Sequence, residues 1–358
     1  MKETVFKQKL NEWISYLISQ NGSDLHLSAG SYPSIRVDNE IIQMREEEII
    51  SHSDLKKLAG DILDEKKVEK LNHEKQIDFS MEKKGDFRYR GNMFFHRGVL
   101  SLVLRKLPKT AGDLKSLNLP EDLYEFVEKK QGLFLVVGPN GHGKSTTLAS
   151  LIEYVNNNHK KHIITIEDPV EYVYSNNKSL IEQREVYEDA LSFNEALRAS
   201  FREDVDIILV GEMRDKETIS TAITAAETGH VVMGTLHTND AIQTVDRIID
   251  TFPPYQQSQI RSQLASVLSG VVSQRLIKKV GGGRIPALEV LKNNPAVSNI
   301  IRQNQIHQIS SVMETSQDDG MMVLEKYLAN LISSGTIETK EAEKYVRDVD
   351  NLYTYLGR

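Results

Sequence analysis

The sequence predicts an α/β protein of two domains, a small α+β domain followed by a larger one in which strands and helices alternate. Three observations lead there. The chain has 358 residues, more than the roughly 250–300 at which single cores stop growing. Up to residue 107, short strand-like runs are separated by turn residues. From residue 117 onward strand-like and helix-like segments alternate, which implies a mainly parallel sheet with helical crossovers.

Residues 4–17 (TVFKQKLNEWISYL) place apolar side chains at helical spacing and predict an amphipathic opening helix, stopped by Asn21-Gly22. Residues 23–28 (SDLHLS) alternate apolar and polar as a half-buried strand does. A strand over 34–37 followed by Asp38-Asn39 predicts a hairpin turn into Ile41-Ile42. A helix carrying Leu55, Leu58, Ile62 and Leu63 comes next, then strands over 79–81, 87–95 and 99–107. The first domain is therefore expected over 1–107, a short polar linker over 108–115 around PKTAGD, and the second domain over 116–358. In the second domain strands are predicted at 133–137, 162–166, 207–210 and 231–235, with helices at 145–154, 193–201 and 216–227. The last third reads as helical, at 258–272, 295–303, 321–333 and 339–348, each with apolar residues at i, i+3, i+4. Gly138, Glu167, Gly211 and Leu236 fall at the carboxyl ends of strands, where sheets of this kind bind ligands. No internal repeat or low-complexity tract is found.

One stretch organises the second domain. In FLVVGPNGHGKSTT, the run Phe134 to Val137 is followed by Gly138, Pro139, Asn140, Gly141, His142, Gly143, Lys144, Ser145 and Thr146. This satisfies G-x-x-x-x-G-K-[ST] between a strand and a helix, the context the pattern requires of a phosphate-binding loop. The glycines let successive backbone N–H groups point inward at phosphate oxygens, and the following helix adds the positive end of its dipole. Lys144 is expected to reach the β- and γ-phosphates of a nucleotide, and the Ser145 hydroxyl to ligate Mg²⁺.

Acids follow at two later strand ends. In ITIEDPVEY, Glu167, Asp168 and Glu171 surround Pro169, and one of them can serve as general base toward an attacking water. In DIILVGEMRD, Glu212 follows an apolar strand and Gly211, the logic of a Walker B acid that holds Mg²⁺ directly or through water. His230 and His237 bracket the strand of TGHVVMGTLHTND and can sense a γ-phosphate or bridge to the acids. Arg198 and Arg202, four apart in LRASFRED, are expected on one helical face; Arg88, Arg90, Arg97 and Arg105 cluster late in the first domain. Any of these arginines can stabilise a γ-phosphate transition state across an interface.

Composition excludes several classes. There is no cysteine, which removes disulfides, thiol catalysis and cysteine-ligated metal. The net charge of −7 argues against extended nucleic acid as a partner. No apolar stretch approaches the ~20 residues of a membrane span, and MKETVFKQKLNEW lacks the apolar core of a signal peptide, so a cytoplasmic protein is expected.

Taken together, GPNGHGKSTT, TIEDPVEY, LVGEMRD and TAAETGHVVMGTLHTNDA resemble the ATPases of type IV pilus and type II secretion machines, most closely the pilus retraction (twitching motility) ATPases. GSDLHLSAGSYPSIRVDN in the first domain resembles the same family's N-terminal signature. The resemblance implies a PAS-like first domain and a RecA-like ATPase domain, assembled as a homohexameric ring with ATP and Mg²⁺ at the junctions. By this resemblance Lys144 and Ser145 take the Walker A positions, Glu171 that of general base, Glu212 that of Walker B acid, and His230 and His237 those of the His-box. Arg198 and Arg202 match paired basic residues near the nucleotide, and Arg105 an arginine of the first domain offered to the phosphates. Asn140 and His142 depart from the usual small hydroxyl residues, and PAVSNIIRQNQ departs from the family's AIRNLIRE at Ser298 and Gln303. The implied partners are an inner-membrane pilus platform protein and a paralogous pilus ATPase, at the inner face of the cytoplasmic membrane.

Rival readings are an accessory retraction ATPase, an extension or secretion ATPase, a RecA-like nucleic-acid motor and a non-hydrolysing scaffold. Extension and secretion ATPases usually add an N-terminal domain and a four-cysteine zinc site, whereas this chain starts at the small domain and has no cysteine. A nucleic-acid motor would want a basic, aromatic-lined channel. The pair Glu171 and Glu212 speaks against a scaffold.

Overall fold

The computed structural model describes residues 5–37, 40–82, 87–107 and 111–357. The Asp38-Asn39 turn and residues 108–110 of the expected linker lie outside them. The chain divides into two compact units, residues 1–109 with 171–173, and residues 110–170 with 174–358.

The first unit is a six-stranded antiparallel sheet. Its strands are β1 (Asp24–Ser28), β2 (Ser34–Val37), β3 (Glu40–Gln43), β4 (Gln76–Glu82), β5 (Arg88–His96) and β6 (Val99–Lys106), in the order β3-β2-β1-β6-β5-β4. The opening helix Val5–Ser19 presents Leu10, Trp13, Ile14 and Leu17, one stripe at helical spacing, to a core that includes Leu25, Leu27, Ile35, Leu102 and Leu104. One helix was predicted around Leu55 to Leu63; two are found, His52–Ile62 and Glu65–Glu74. Leu63 turns extended, and Asp64 starts the second helix by accepting from the Lys67 N–H at 2.9 Å. Only Val68 and Leu71 are apolar in that second helix, too few to register as a periodic stripe.

The second unit holds seven strands. β7 (Gly132–Val137), β8 (His162–Glu167), β9 (Leu180–Glu185), β10 (Ile207–Val210), β11 (Val231–Leu236), β12 (Leu268–Lys278) and β13 (Arg284–Lys292) run in the order β13-β12-β7-β11-β10-β8-β9. All neighbours are parallel except the β12–β13 pair. β7 is buried at every residue: Leu133, Leu135 and Val137 join one core layer, Phe134 and Val136 the other. A strand covered on both faces reads as a continuous apolar run, and it is this run that makes β7 visible in the sequence.

Three expectations are corrected here. The helix predicted over 258–272 ends at Val267, and the chain then enters β12, part of a hairpin absent from the reading. Leu268, Val271 and Val272 satisfy helical spacing, but β12 is buried on both faces and so lacks the alternation that marks a strand. The edge strand β9 was missed because LIEQRE offers few apolar residues. The helix predicted over 339–348 is a short turn, Thr339–Ala342, and a separate helix Val349–Tyr355 follows, capped by Asp348.

Candidate nucleotide-binding site

The site grows out of the end of β7. After Val137 the backbone turns at Gly138, whose φ is +141°. A Cβ there would stand 2.5 Å from the Gln274 carbonyl oxygen, so only glycine fits. The helix Lys144–Asn158 then starts at Gly143, itself at φ +82° and without a side-chain cap. The first-turn N–H groups thus face outward with the dipole's positive end, the arrangement that receives phosphate.

Lys144 is buried, with Nζ donating to the carbonyls of Gly138 (2.8 Å) and Pro139 (3.0 Å). Nζ is also 3.4 Å from His237 Nδ1. The opposite ring nitrogen, Nε2, is 2.9 Å from Glu212 Oε1. Since an ammonium only donates, Nδ1 accepts and Nε2 carries the proton given to Glu212. A relay Lys144–His237–Glu212 therefore joins the ends of three elements: the phosphate loop after β7, the loop after β11 and the segment after β10. Arg214 clamps the carboxylate of Glu212 with Nε at 2.5 Å and Nη2 at 2.6 Å. Burial pushes the Glu212 carboxyl up, but Arg214 and His237 outweigh it and hold it below the ordinary carboxylate value, hence ionised. Gly211 is tied back by its N–H to the Ile166 carbonyl (2.8 Å) and by the Thr235 hydroxyl to its own carbonyl (2.5 Å).

A Mg²⁺ ion bound alongside a nucleotide needs only one or two protein oxygens, the rest of its shell being phosphate and water. The exposed Ser145 hydroxyl and the ionised Glu212 carboxylate are donors of that kind. Among the described residues no cluster of three or more histidines and acids could hold a metal by itself.

The remaining predicted residues take no part in this relay. His230 is at the far end of β11 from His237, about 20 Å along a strand of this length, with Nδ1 3.0 Å from the Ala225 carbonyl. Arg198 and Arg202 do not share a helix: it runs Phe193–Ser200, Arg202 lies in the turn beyond, and both are exposed. Beyond Ser200 the chain continues through a turn and leaves the helical region at Asp204, whose φ is +53°. Glu167 is buried at the end of β8, accepting from Thr165 Oγ1 at 2.7 Å and Gln183 Nε2 at 3.3 Å. Glu171 groups with the first unit. Arg105, also in that unit, donates Nε to Asp24 Oδ1 at 2.8 Å. Asn140 and Gly141 are exposed at the loop's tip.

Sequence reasoning missed Arg214, Gln274 and Arg275. Gln274 and Arg275 did leave a trace, a polar pair inside the apolar run of VVSQRLI, which a solvent-facing helix would not explain. His142, where the loop departs from the usual small hydroxyl residues, is built into the loop, its Nδ1 accepting the Leu276 N–H at 2.9 Å.

A glycine-rich loop between a buried parallel strand and a helix, with a lysine, a histidine and an acid converging on it, defines a phosphate-loop nucleotide-binding protein. The chain belongs to the Type II/IV secretion system protein family, which it matches over residues 2–282. It is 42% identical over 342 residues to the type IV pilus retraction ATPase PilT of Pseudomonas aeruginosa, covering 96% of this chain and 99% of that one. A twitching motility protein of Neisseria gonorrhoeae is 41% identical over 321 residues, 89% of this chain and 86% of its own. The crystal structure of the pilus retraction motor PilT with bound ADP superposes with a TM-score of 0.91 at 44% identity, covering 99% of this chain and 100% of that one.

Proposed function

We propose that this chain is an ATP-hydrolysing motor that powers type IV pilus retraction, working as a homohexameric ring. The observation that carries the reading is the Lys144–His237–Glu212 relay at a phosphate loop, in a chain similar end to end to a pilus retraction motor. In this reading the N–H groups of the loop and the first helical turn hold the phosphates, and Lys144 leaves its own loop carbonyls for the β- and γ-oxygens. His237, bonded to Lys144 in the structure described, is then free to register whether a γ-phosphate is present. Ser145 and Glu212 would hold Mg²⁺, which neutralises charge on the phosphates. Glu171 takes the attacking water's proton as general base. Arg105, Arg198, Arg202 and His230 are assigned to the junctions between subunits, where arginines stabilise the charge that develops on the transferring group.

No helix among the described residues is long and apolar enough to cross a membrane. We place the ring at the cytoplasmic face of the inner membrane, pulling on a platform protein so that pilin subunits are withdrawn, alone or beside a paralogous ATPase. The test is a count of surface pili on cells lacking this protein against the parent strain, by electron microscopy. Excess pili support retraction. Bare cells would mean the motor drives assembly.

A further inference from the structure

Strand β12 touches both loops of the site, one from each face. On one face Gln274, buried, accepts from the Thr147 hydroxyl (2.7 Å) and donates Nε2 to the His142 carbonyl (2.8 Å). These partners belong to the first helical turn and to the loop before it, so one amide spans the curve that wraps the phosphates. The Leu276 N–H adds the bond to His142 Nδ1. On the other face the Ser273 hydroxyl and Arg275 Nη2 donate to the Asn239 carbonyl at 2.8 and 2.6 Å, and Nη2 also lies 3.3 Å from Asn239 Oδ1. Asn239 is two residues beyond His237 and immediately before Asp240, which caps the next helix. The division follows from strand geometry, since neighbouring side chains leave on opposite faces.

We propose that Gln274 and Arg275 are positioning residues with separate tasks: Gln274 sets the phosphate loop and with it nucleotide affinity, while Arg275 sets the His237 loop and with it turnover. The inference rests on the ATPase reading and goes beyond it, since both residues belong to β12, outside the phosphate loop and the strand ends that supply Lys144, Glu212 and His237. Gln274 fixes the loop's curvature without a ligand, so losing it leaves a looser loop that must be ordered by the nucleotide at a cost in affinity. Arg275 also brings Nη1 to the Gln274 carbonyl at 3.1 Å beside Gly138, but Nη2 holds the loop after His237 through the Asn239 carbonyl, so its loss lets His237 drift from Glu212 while the bonds of Gln274 to Thr147 and His142 remain.

The test uses the full-length protein with Gln274→Met, Thr147→Val, Arg275→Met and Arg275→Lys, measuring ADP affinity, kcat and KM for ATP, and melting temperature. Gln274→Met and Thr147→Val should each weaken ADP binding about tenfold with kcat near the parent's, and the double variant should lose little more, as expected for two ends of one buried bond. Arg275→Met should keep ADP affinity within about twofold and lose about tenfold in kcat, with Arg275→Lys recovering part of it. A merely structural role would move affinity, kcat and melting temperature together in both sets, and that result overturns the proposal. Should the methionine variants melt below the assay temperature, Thr147→Val and Arg275→Lys carry the same comparison. If the parent binds ADP and does not turn over ATP, the ATPase reading fails, and equal losses of ADP affinity in both sets overturn the division.

Discussion

His237 stands between Lys144 and Glu212, 3.4 Å from one and 2.9 Å from the other, and three residues whose outer members lie 93 apart in the sequence act as one group. Each was legible singly: Lys144 from the loop pattern, Glu212 and His237 from their places at strand ends. The partners that hold them were not. Arg214 sits two residues from Glu212 with nothing in the spacing to mark it, and Gln274 is 127 residues from Thr147, a separation no local pattern reaches. His142 braces the loop through an acceptor nitrogen. Burial and the nearby Arg275, Arg284 and Lys144 keep its pKa below the ordinary 6.5. A histidine held neutral in the fold and free to protonate when unfolded loses stability as pH falls through and below its unfolded pKa. Protonation also removes the acceptor for the Leu276 N–H. Nucleotide affinity of the parent should therefore decline as pH falls below the ordinary imidazole range. His142→Asn, whose carboxamide oxygen can accept the same bond, should flatten that decline in an ADP titration between pH 5 and 8. An unchanged acidic limb would mean another group titrates.

At the scale of elements, the junction of the helix Ala241–Asp250 with β13 has an electrostatic peculiarity. Glu289, on β13, accepts the Ala241 N–H at 2.7 Å. Arg347, from the turn before the last helix, gives Nη2 to Asp240, leaving Glu289 Oε2 3.9 Å away. Burial pushes the Glu289 carboxyl from 4.5 up to about 7, against the pull of the Ala241 bond. For an acid whose folded pKa is raised, the fold binds the proton more tightly than the unfolded chain, so stability falls as pH rises from about 4.5 to about 7 and stays low above. Glu289→Gln keeps the acceptor and cannot ionise. It should melt above the parent at pH 8 by up to ~3 kcal/mol in unfolding free energy, and near the parent at pH 5. A lower melting temperature at pH 8 would show that the ionised carboxylate is needed by Arg347. None of this was visible beforehand, since β12 and β13 were missed altogether. Buried on both faces and interrupted by polar residues such as Gln274 and Arg275, β12 carries neither strand alternation nor the unbroken apolar run that made β7 visible.

For the whole molecule, the order of motifs along the chain was enough to indicate the family, and its two sheets follow the two composition regimes of the sequence, strand-like runs first and alternation after. The predicted site residues are divided between the two units. Arg105 is paired with Asp24 within the first unit, and Glu171, which follows β8 of the second, groups with the first as well. The proposed chemistry calls on both units, and two variants separate binding from turnover. Lys144→Ala should lose ADP and ATP binding by tenfold or more, as a buried charge that meets the phosphates is removed. Glu171→Gln should bind ATP as the parent does and hydrolyse it about a hundredfold more slowly or worse, the usual scale for a general base. Full turnover in Glu171→Gln would move the base to another residue, with Glu167 first in line. The brace on the phosphate loop has one more consequence, in time rather than in space. The Leu276 N–H that fixes His142 lies 134 residues downstream, and at typical synthesis rates the ribosome delivers it roughly ten seconds after the loop. A nascent chain therefore displays the nucleotide signature well before it can shape it. A chain stalled or truncated in that interval carries the motif without the strand that braces it.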